Sequence, residues 1–369
     1  MTDTWLPGGG IAAGSGGKLA SIQLLRAVAA SVVAVLHVAF AFADHIGPGL
    51  GLSRAAGGLA GQAAVLLFFI VSGYVMVIAT RGQFGQPGAR QRFWWRRFNR
   101  IMPPYWLATF ALVLVFLSVK AQPISWPDVL RSLVLLPYWP QDGGLRPLPF
   151  LWVGWTLFYE MAFYVLLGLC LGLGPRAGLA ATALVLAALV LAGIAVPPDN
   201  AFLFAVTRPV LLMFVYGMAL AAWRGAGRAA PAWLRLFALI AALVAAGLVA
   251  PPGEIGAMGF DYLLWCGLPA ALLAFCVLGG PLRVPGERLI LAAGDMSYAL
   301  YLLHVPAAWF WQWFWRRLPW FDPGPWDYLA SCLVATYAAS WLFYAHVERP
   351  MTAGLNRRTG SPHVHHLAA

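Results

Sequence analysis

Charged side chains are scarce in this 369-residue sequence: they make up 10% of the residues, whereas hydrophobic residues make up 61%. Soluble domains contain about 25% charged residues. A chain with so little charge cannot cover a compact body with polar surface, which excludes a soluble globular protein, a disordered chain and a coiled coil. We therefore predict a protein whose solvent is the lipid bilayer.

Cysteine is also rare, and the four cysteines (Cys170, Cys266, Cys276 and Cys332) all lie within apolar segments. This placement indicates packing residues in membrane helices, excludes a secreted disulfide scaffold and gives no metal site. Basic residues outnumber acidic ones by 24 to 13, but the arginines occur in short segments between apolar stretches. That distribution is typical of membrane proteins and does not indicate a nucleic-acid partner. No small-residue signal-peptide cleavage site follows the first apolar segment, so we expect that segment to remain as a membrane helix.

Ten apolar segments have about the length that a helix needs to cross a bilayer. They cover residues 22–42, 60–79, 102–119, 151–173, 177–196, 202–223, 235–250, 259–278, 290–314 and 326–347. With the N-terminus in the cytoplasm, the inside segments hold 16 of the 24 basic residues and the outside segments six. This bias predicts an all-α, polytopic membrane protein with about ten transmembrane helices and both termini cytoplasmic. Residues 21–350 form the membrane domain, residues 1–20 a flexible cytoplasmic N-terminus, and residues 351–369 a disordered cytoplasmic tail.

Two ionisable residues share one face of the first segment. Arg26 and His37 are eleven residues apart, which is close to three helical turns and about 16 Å along the axis. A charge at membrane depth costs about 2.5–3.5 kcal/mol, so each needs a reason. Arg26 is either an anchor at the inner surface or a ligand contact. His37 lies deep in the segment, where it is either a packing residue or a functional group.

Other polar side chains lie inside the fourth, sixth and ninth segments. Glu160 lies near the midplane with Thr156 and Tyr164 one turn away on either side, so it is either a neutral, hydrogen-bonded acid or a functional carboxylate. Arg208 in the sixth segment is a possible ion-pair partner for Glu160. In the ninth segment Ser297, Tyr301 and His304 share a face. Because His37, Glu160 and His304 reach similar depths on separate helices, we predict that they converge on a cavity.

Six arginines and no acidic residue occur between residues 80 and 100, ahead of Pro103 and Pro104, which suit a helix start. Arg97 and Arg100 share a helical face, with Arg96 one turn before Arg100. Two interpretations stay open. The arginines bind anionic lipid headgroups, or their planar guanidinium groups bind a cytoplasmic polyphosphate. The sequence contains no glycine-rich phosphate loop, so nucleotide hydrolysis has no support.

Six pieces of the sequence, in order, resemble the acyltransferase-3 family of bacterial integral-membrane O-acyltransferases. They are IQLLRAVAASVVAVLH (22–37), FFIVSGYVM (68–76), RRFNRIMPPYWLA (96–108), WTLFYEMAFY (155–164), GDMSYALYLLH (294–304) and HVERP (346–350). The most specific are the Arg26–His37 pair and the Arg97–Arg100 segment. The wording of the fourth piece is similar to the exopolysaccharide acetyltransferase branch.

The resemblance implies that acetyl-CoA, or another acyl-CoA, donates its acyl group from the cytoplasmic side of the inner membrane. The acceptor would be a sugar hydroxyl of a surface glycan or of its lipid-linked precursor, and polysaccharide biosynthesis proteins would be partners. On this basis Arg26, Arg97 and Arg100 would bind the donor, His37 would act as general base, and Glu160 would orient the imidazole or hold the acceptor. The expected cavity-lining residues are Ser72, Tyr164, Arg208, Ser297, Tyr298, Tyr301 and His304.

Two other functions account for part of the pattern. A transporter or flippase for a glycan precursor also needs many helices and buried charges, but the internal repeats of many transporters are not apparent in the sequence. A lipid-binding structural subunit leaves His37 and Glu160 unexplained. Release of free CoA thiol from acetyl-CoA would distinguish the enzyme from both.

Overall fold

The computed structural model describes residues 15–45, 51, 53–120, 124–139, 146–196, 198–317 and 324–357. Across these residues the regular secondary structure is helical throughout, without strands. The first helices are α1 (Ser15–His45), α2 (Arg54–Ala79), α3 (Ala89–Val115), α4 (Trp126–Leu133), α5 (Trp155–Cys170), α6 (Pro175–Ala195), α7 (Ala201–Val206) and α8 (Leu212–Gly225). The remaining ones are α9 (Ala232–Leu248), α10 (Phe260–Tyr262), α11 (Leu268–Leu278), α12 (Glu287–Asp295), α13 (Ser297–Trp315), α14 (Pro325–Phe343) and α15 (Arg349–Arg357).

Seven helical stretches of the described chain are long and apolar enough to cross a membrane. They are Ala20–Asp44, Arg54–Ala79, Ala89–Ser118, Trp152–Cys170, Pro175–Ala195, Phe260–Leu278 and Pro325–Arg357. Helices α12 and α13 meet this test as a pair bent by 59°, and two shorter apolar helices, Pro209–Gly225 and Ala232–Leu248, do not reach the length. The predicted all-helical, multi-pass architecture is confirmed. The total of ten spans and the cytoplasmic side of the termini stay predictions.

Helix α3 begins earlier than the sequence analysis placed it. Gly88 adopts a left-handed φ of 69°, and α3 then runs without a break from Ala89 through the two prolines. The expectation that Pro103 and Pro104 start the helix is therefore wrong. Prolines inside a membrane helix are tolerated when neighbouring groups compensate for the lost hydrogen bonds. As a result the arginines from Arg90 to Arg100 are helical, and their directions are fixed relative to the bundle.

A close crossing of α2 and α8 supports the centre of the bundle. Gly73 of α2 faces the backbone carbonyl of Phe214, and Gly217 of α8 faces the backbone carbonyl of Ile70, so a side chain at either glycine would overlap main chain. Small residues allow membrane helices to approach this closely. Phe69 stacks on Phe214 beside this crossing, with ring centroids 4.8 Å apart. The crossing fixes the rotation of α2 and with it the direction of Ser72, next to Gly73.

A second close approach joins α1 to α12. Gly294 packs directly against Gln23, so that the end of α12 lies beside the first turns of α1. The bend between Asp295 and Ser297 then redirects the chain into α13, which runs along α1. Ala30 and Ala34 of α1 and Leu300 of α13 are fully or almost fully buried in this contact.

The chain ends depart in part from the predicted domain limits. Helix α1 already begins at Ser15, and α15 continues to Arg357, so residues 351–357 of the predicted tail are helical. Residues 1–14 and 358–369, including the remaining parts of both predicted terminal segments, lie outside the described residues. The four cysteines are free thiols, and three of them are buried.

Candidate active site

A cavity between α1, α2, α3, α5 and α13 collects most of the predicted site residues. Its polar lining consists of Arg26, Ser72, Arg97, Arg100, Thr156, Glu160, Tyr164, Ser297, Tyr298 and Tyr301. The cavity encloses about 1010 Å³, counting the part that is open to solvent.

The arginines of the cavity are held by neighbouring side chains. Arg26 is 9% exposed, and its Nη1 donates to Gln23 Oε1 at 3.0 Å. Gln23 in turn donates from Nε2 to Asp295 Oδ1 at 2.5 Å. Arg26 is therefore a buried part of a polar chain that links α1 to α12, and it lines the cavity.

Arg97 is the most enclosed of the arginines on α3. It is 6% exposed, its guanidinium carbon lies 5.8 Å from the centre of the Tyr164 ring, and its Nε is buried without a hydrogen-bond partner. Arg97 and Arg100 both face the cavity, as their shared helical face predicts. Arg92 and Arg96 do not line it, and Arg92 is exposed. Arg97 and Arg100, which were predicted to bind the acyl donor, thus line the same cavity as Arg26.

Glu160 forms a compact hydrogen-bonded group with two hydroxyls. Ser72 Oγ donates to Glu160 Oε1 at 3.1 Å, and the Tyr164 hydroxyl donates to the same oxygen. The two hydroxyl oxygens are 2.9 Å apart. The side chain one turn after Glu160 is therefore its partner, as the helical spacing suggested. The structure shows no hydrogen bond between Glu160 and His37; whether this carboxylate orients the imidazole or holds the acceptor stays a prediction.

Tyrosines of α13 fasten the far side of the cavity. Tyr301 donates its hydroxyl to the Val153 carbonyl at 2.8 Å, and that hydroxyl lies 3.1 Å from Thr156 Oγ1. Tyr298 donates to the Ile101 carbonyl at 2.8 Å, within the proline-containing part of α3. These bonds attach α13 to both α3 and the start of α5. They place Tyr298 and Tyr301 in the cavity wall, where they were predicted.

His37 and His304 contact each other directly. The His37 Nδ1 and the His304 Nε2 are 2.7 Å apart, and the two rings lie at an interplanar angle of 12° with their centroids 5.0 Å apart. His304 is completely buried. The predicted convergence of these two histidines is present, and the small residues Ala30 and Ala34 explain how the helices approach closely enough.

The histidine pair lies beyond the end of the cavity. Neither imidazole lines the cavity, whereas Tyr301 lines it and also contacts the His304 ring at 6.0 Å between centroids. Phe68, which also lines the cavity, packs against the cluster of Ala30, Ala34 and Leu300. Phe68 and Tyr301 therefore lie where the cavity approaches the imidazoles. His304 contacts the other histidine instead of facing the cavity as predicted.

Arg208 is the predicted site residue that the structure places elsewhere. It lies between α7 and the turn that begins at Pro209, and it donates to the carbonyls of Phe204 at 3.1 Å and Ala257 at 3.3 Å. It neither lines the cavity nor pairs with Glu160. The expectation of an Arg208–Glu160 partnership is wrong. A proline disfavours helix at the residue before it, so Arg208 leaves the helical path and bonds to main-chain oxygens instead.

Gln23 and Asp295 are site residues that the sequence analysis missed. Both belong to pieces that carried the family resemblance, and Gln23 lies one turn before Arg26, which was the available signal. The part of the chain that the structure describes holds no group of three or more His, Cys, Asp and Glu side chains suited to a metal ion.

Membrane-length helices around an arginine-lined cavity define a multi-pass membrane protein with a basic cavity in its core. A family model described as an acyltransferase domain matches residues 19–345, so the chain belongs to the acyltransferase-3 family and is an acyltransferase. The exopolysaccharide production protein ExoZ of Rhizobium meliloti (strain 1021) is 33% identical over 254 residues, which are 66% of this chain and 76% of that protein. No solved structure matches the chain significantly. Membership in this family decides between the enzyme and the transporter.

Proposed function

We propose that this protein transfers an acyl group, expected to be acetyl, from cytoplasmic acyl-CoA to a hydroxyl of an exopolysaccharide sugar. The acceptor is the polymer or its lipid-linked precursor, and the protein lies in the bacterial inner membrane with ten spans and both termini in the cytoplasm. The family supports acyl transfer. The similarity to ExoZ, an exopolysaccharide production protein, supports the polysaccharide acceptor.

The observation that carries the proposal is the single cavity shared by the Glu160 group and three arginines, of which Arg26 and Arg97 are buried and Arg100 is partly exposed. Arginine binds phosphate through two parallel hydrogen bonds, and CoA carries several phosphates. Arg97 and Arg100 bind these phosphates, and Arg26 contacts the donor from α1. The unpartnered Nε of Arg97 supports this role because a buried donor without an acceptor is costly unless a ligand provides one.

His37 acts as the general base. The imidazole removes the proton from the acceptor hydroxyl, and the hydroxyl oxygen forms a bond to the thioester carbonyl carbon. The carbon–sulfur bond then breaks, and the proton passes from the imidazolium to the CoA thiolate. The products are a sugar ester and free CoA. General-base assistance of this kind contributes about 10²–10⁴-fold to a rate. Phe68 and Tyr301 lie where the cavity approaches the imidazoles. We therefore place the acceptor hydroxyl and the thioester carbonyl beside these two side chains.

Glu160 holds one wall of the cavity in position. It accepts from Ser72 and Tyr164, which directs both hydroxyls along the path between Arg97 and Tyr301. Ser297, Tyr298 and Tyr301 form the opposite wall and bond to main-chain carbonyls. These side chains orient the acyl arm, while His37 performs the proton transfer.

The direct test uses purified protein in lipid nanodiscs with acetyl-CoA and unmodified exopolysaccharide from a deletion strain. We expect CoA thiol release that depends on added polysaccharide, together with new O-acetyl signals in the proton NMR spectrum of the product. Thiol release without ester formation on the sugar would contradict the proposed acceptor. No release with any acyl-CoA would contradict the donor.

A further inference from the structure

We infer that His304 is a positioning residue that fixes the proton of His37 on Nδ1 and leaves Nε2 free to act as the base. The inference rests on the proposed function for its catalytic meaning, and it rests on geometry for the position of the proton. It assigns a role to a completely buried histidine that neither lines the cavity nor contacts a carboxylate.

The first step is the tautomer of His304. Its Nδ1 lies 3.2 Å from the main-chain carbonyl of Leu300, one turn earlier in α13. A carbonyl oxygen only accepts hydrogen bonds, so Nδ1 must carry the hydrogen. A neutral imidazole has one N–H, which leaves a lone pair on Nε2. The local sequence from Leu300 to His304 thus sets this tautomer without help from any other segment.

The second step concerns which ring nitrogen of His37 carries the proton, given this tautomer of His304. The lone pair on His304 Nε2 faces His37 Nδ1 at 2.7 Å, and a hydrogen bond at that distance needs one donor and one acceptor. His37 Nδ1 is therefore the donor. Its remaining nitrogen, Nε2, carries the lone pair. The hydrogen bond at one ring nitrogen decides which form the other takes, as in histidines that act as bases or metal ligands.

The third step concerns why His37 remains the donor and His304 the acceptor in the hydrogen bond between the two imidazoles. Among the described residues, neither His37 nor His304 forms an ion pair with a carboxylate, and the ion pairs Arg54–Asp44 and Arg131–Asp128 do not involve them. No carboxylate there supports a second proton on His304. The near-parallel rings and the buried contact of Ala30, Ala34 and Leu300 hold the two nitrogens in register. A carboxylate orients the histidine in a Ser-His-Asp triad; here a backbone carbonyl acts through an uncharged imidazole.

Substitution of His304 by glutamine and by alanine tests the role. The glutamine side chain can place its carbonyl oxygen near the position of Nε2, so His304→Gln keeps an acceptor for His37 Nδ1, whereas His304→Ala removes it. We expect His304→Ala to lower kcat by about 10²-fold with an unchanged KM for acyl-CoA, since the base then carries its proton on the wrong nitrogen for much of the time. His304→Gln should recover activity to within about 10-fold of the wild type. His346→Ala, at an exposed histidine of the same bundle, is the matched control.

A spectroscopic measurement tests the proton position without any turnover. In histidine-labelled protein, nitrogen-15 NMR distinguishes a protonated from an unprotonated ring nitrogen, and loss of a signal in His37→Ala assigns it. We expect an unprotonated Nε2 on His37 in the wild type and in His304→Gln, and a shift towards protonated Nε2 in His304→Ala. Protonated Nε2 in the wild type would overturn the inference, and so would equal kcat values for the glutamine and alanine variants. Because the NMR result does not depend on catalysis, failure of the acyltransfer assay alone would contradict the proposed function and not the position of the proton.

Discussion

The arginine-lined cavity and the histidine pair are built in opposite ways. The cavity is open, takes side chains from five helices, and presents three arginines, with Asp295, Glu160 and Glu348 as nearby acidic residues. The histidine pair is closed, involves two helices, and engages three of its four ring nitrogens, two with each other and one with a main-chain carbonyl. The first region is suited to holding a multiply charged ligand, and the second to moving one proton. The contrast indicates that affinity for the donor and the rate of the chemical step are separable by mutation.

The largest expected effect comes from the closed region. His37→Ala should lower kcat by about 10²–10⁴-fold because it removes the general base. The affinity for acyl-CoA should not change, since His37 does not line the cavity. Initial rates of thiol release and equilibrium binding of acyl-CoA measure the two quantities. An equal loss of affinity would show that the two regions form one binding surface.

The open region should respond in the reverse manner. Arg97→Ala should raise the Kd for acyl-CoA by about 10–100-fold, because a hydrogen bond to a charged group contributes about 1.5–3 kcal/mol. The value of kcat at saturating donor should remain close to that of the wild type. The additional change Arg100→Ala should weaken binding further. Arg92→Ala, an exposed position on the same helix, is the control, and a comparable loss there would indicate general electrostatic attraction instead of a site.

A smaller effect is expected within the wall of the cavity. Glu160→Gln replaces the carboxyl oxygen that accepts two hydroxyl hydrogen bonds by an amide oxygen that is a weaker acceptor, so kcat/KM should fall by about 10-fold. The protein should remain folded because the glutamine carbonyl still accepts from Ser72 or Tyr164. Thermal unfolding by intrinsic fluorescence checks the fold, and steady-state kinetics checks the activity. A loss as large as that of His37→Ala would place the carboxylate in the proton transfer itself.

The smallest effect is expected where the two regions meet. Tyr301→Phe keeps the ring against Phe68 and His304 and removes the hydrogen bond to the Val153 carbonyl. A net loss of about 1 kcal/mol corresponds to less than about a 5-fold change in activity. Progress curves at saturating donor and acceptor measure it. A drop of several hundred-fold would mean that the tyrosine hydroxyl takes part in the reaction.

The sequence predicted the helical content well because the length of an apolar stretch is a local property. Each predicted segment falls on a described helix or pair of helices. Seven single helical stretches are long and apolar enough to cross a membrane, and α12 and α13 qualify only as a bent pair. The start of α3 was missed because Pro103 and Pro104 suggested a boundary that tertiary contacts override. Gly88, a glycine directly before the arginine-rich stretch, was the better sequence signal, because it adopts the left-handed conformation at the start of α3.

The site was predictable as a set of residues and less so as an arrangement. Helical spacing placed Arg97 with Arg100, and Glu160 with Tyr164, correctly. The same spacing placed Ser297, Tyr301 and His304 on one face of α13. That face extends beyond the cavity, so His304 contacts His37 and does not line the cavity. The Gly294 packing and the 59° bend that set this depth depend on contacts between distant segments.

The continuity of α1 has a consequence for the choice of coenzyme. Arg26, the proposed donor contact, and His37, the proposed base, belong to one unbroken helix, so their axial spacing of about 16 Å is fixed by peptide geometry and does not depend on movements of the other helices. In the proposed mechanism, this spacing along the helix determines which length of the arm between the donor's headgroup and its reactive carbon can reach His37. If the proposed roles hold, we expect donors with a shorter or longer arm to place that carbon beside a different turn of α1, so that this helix selects against them.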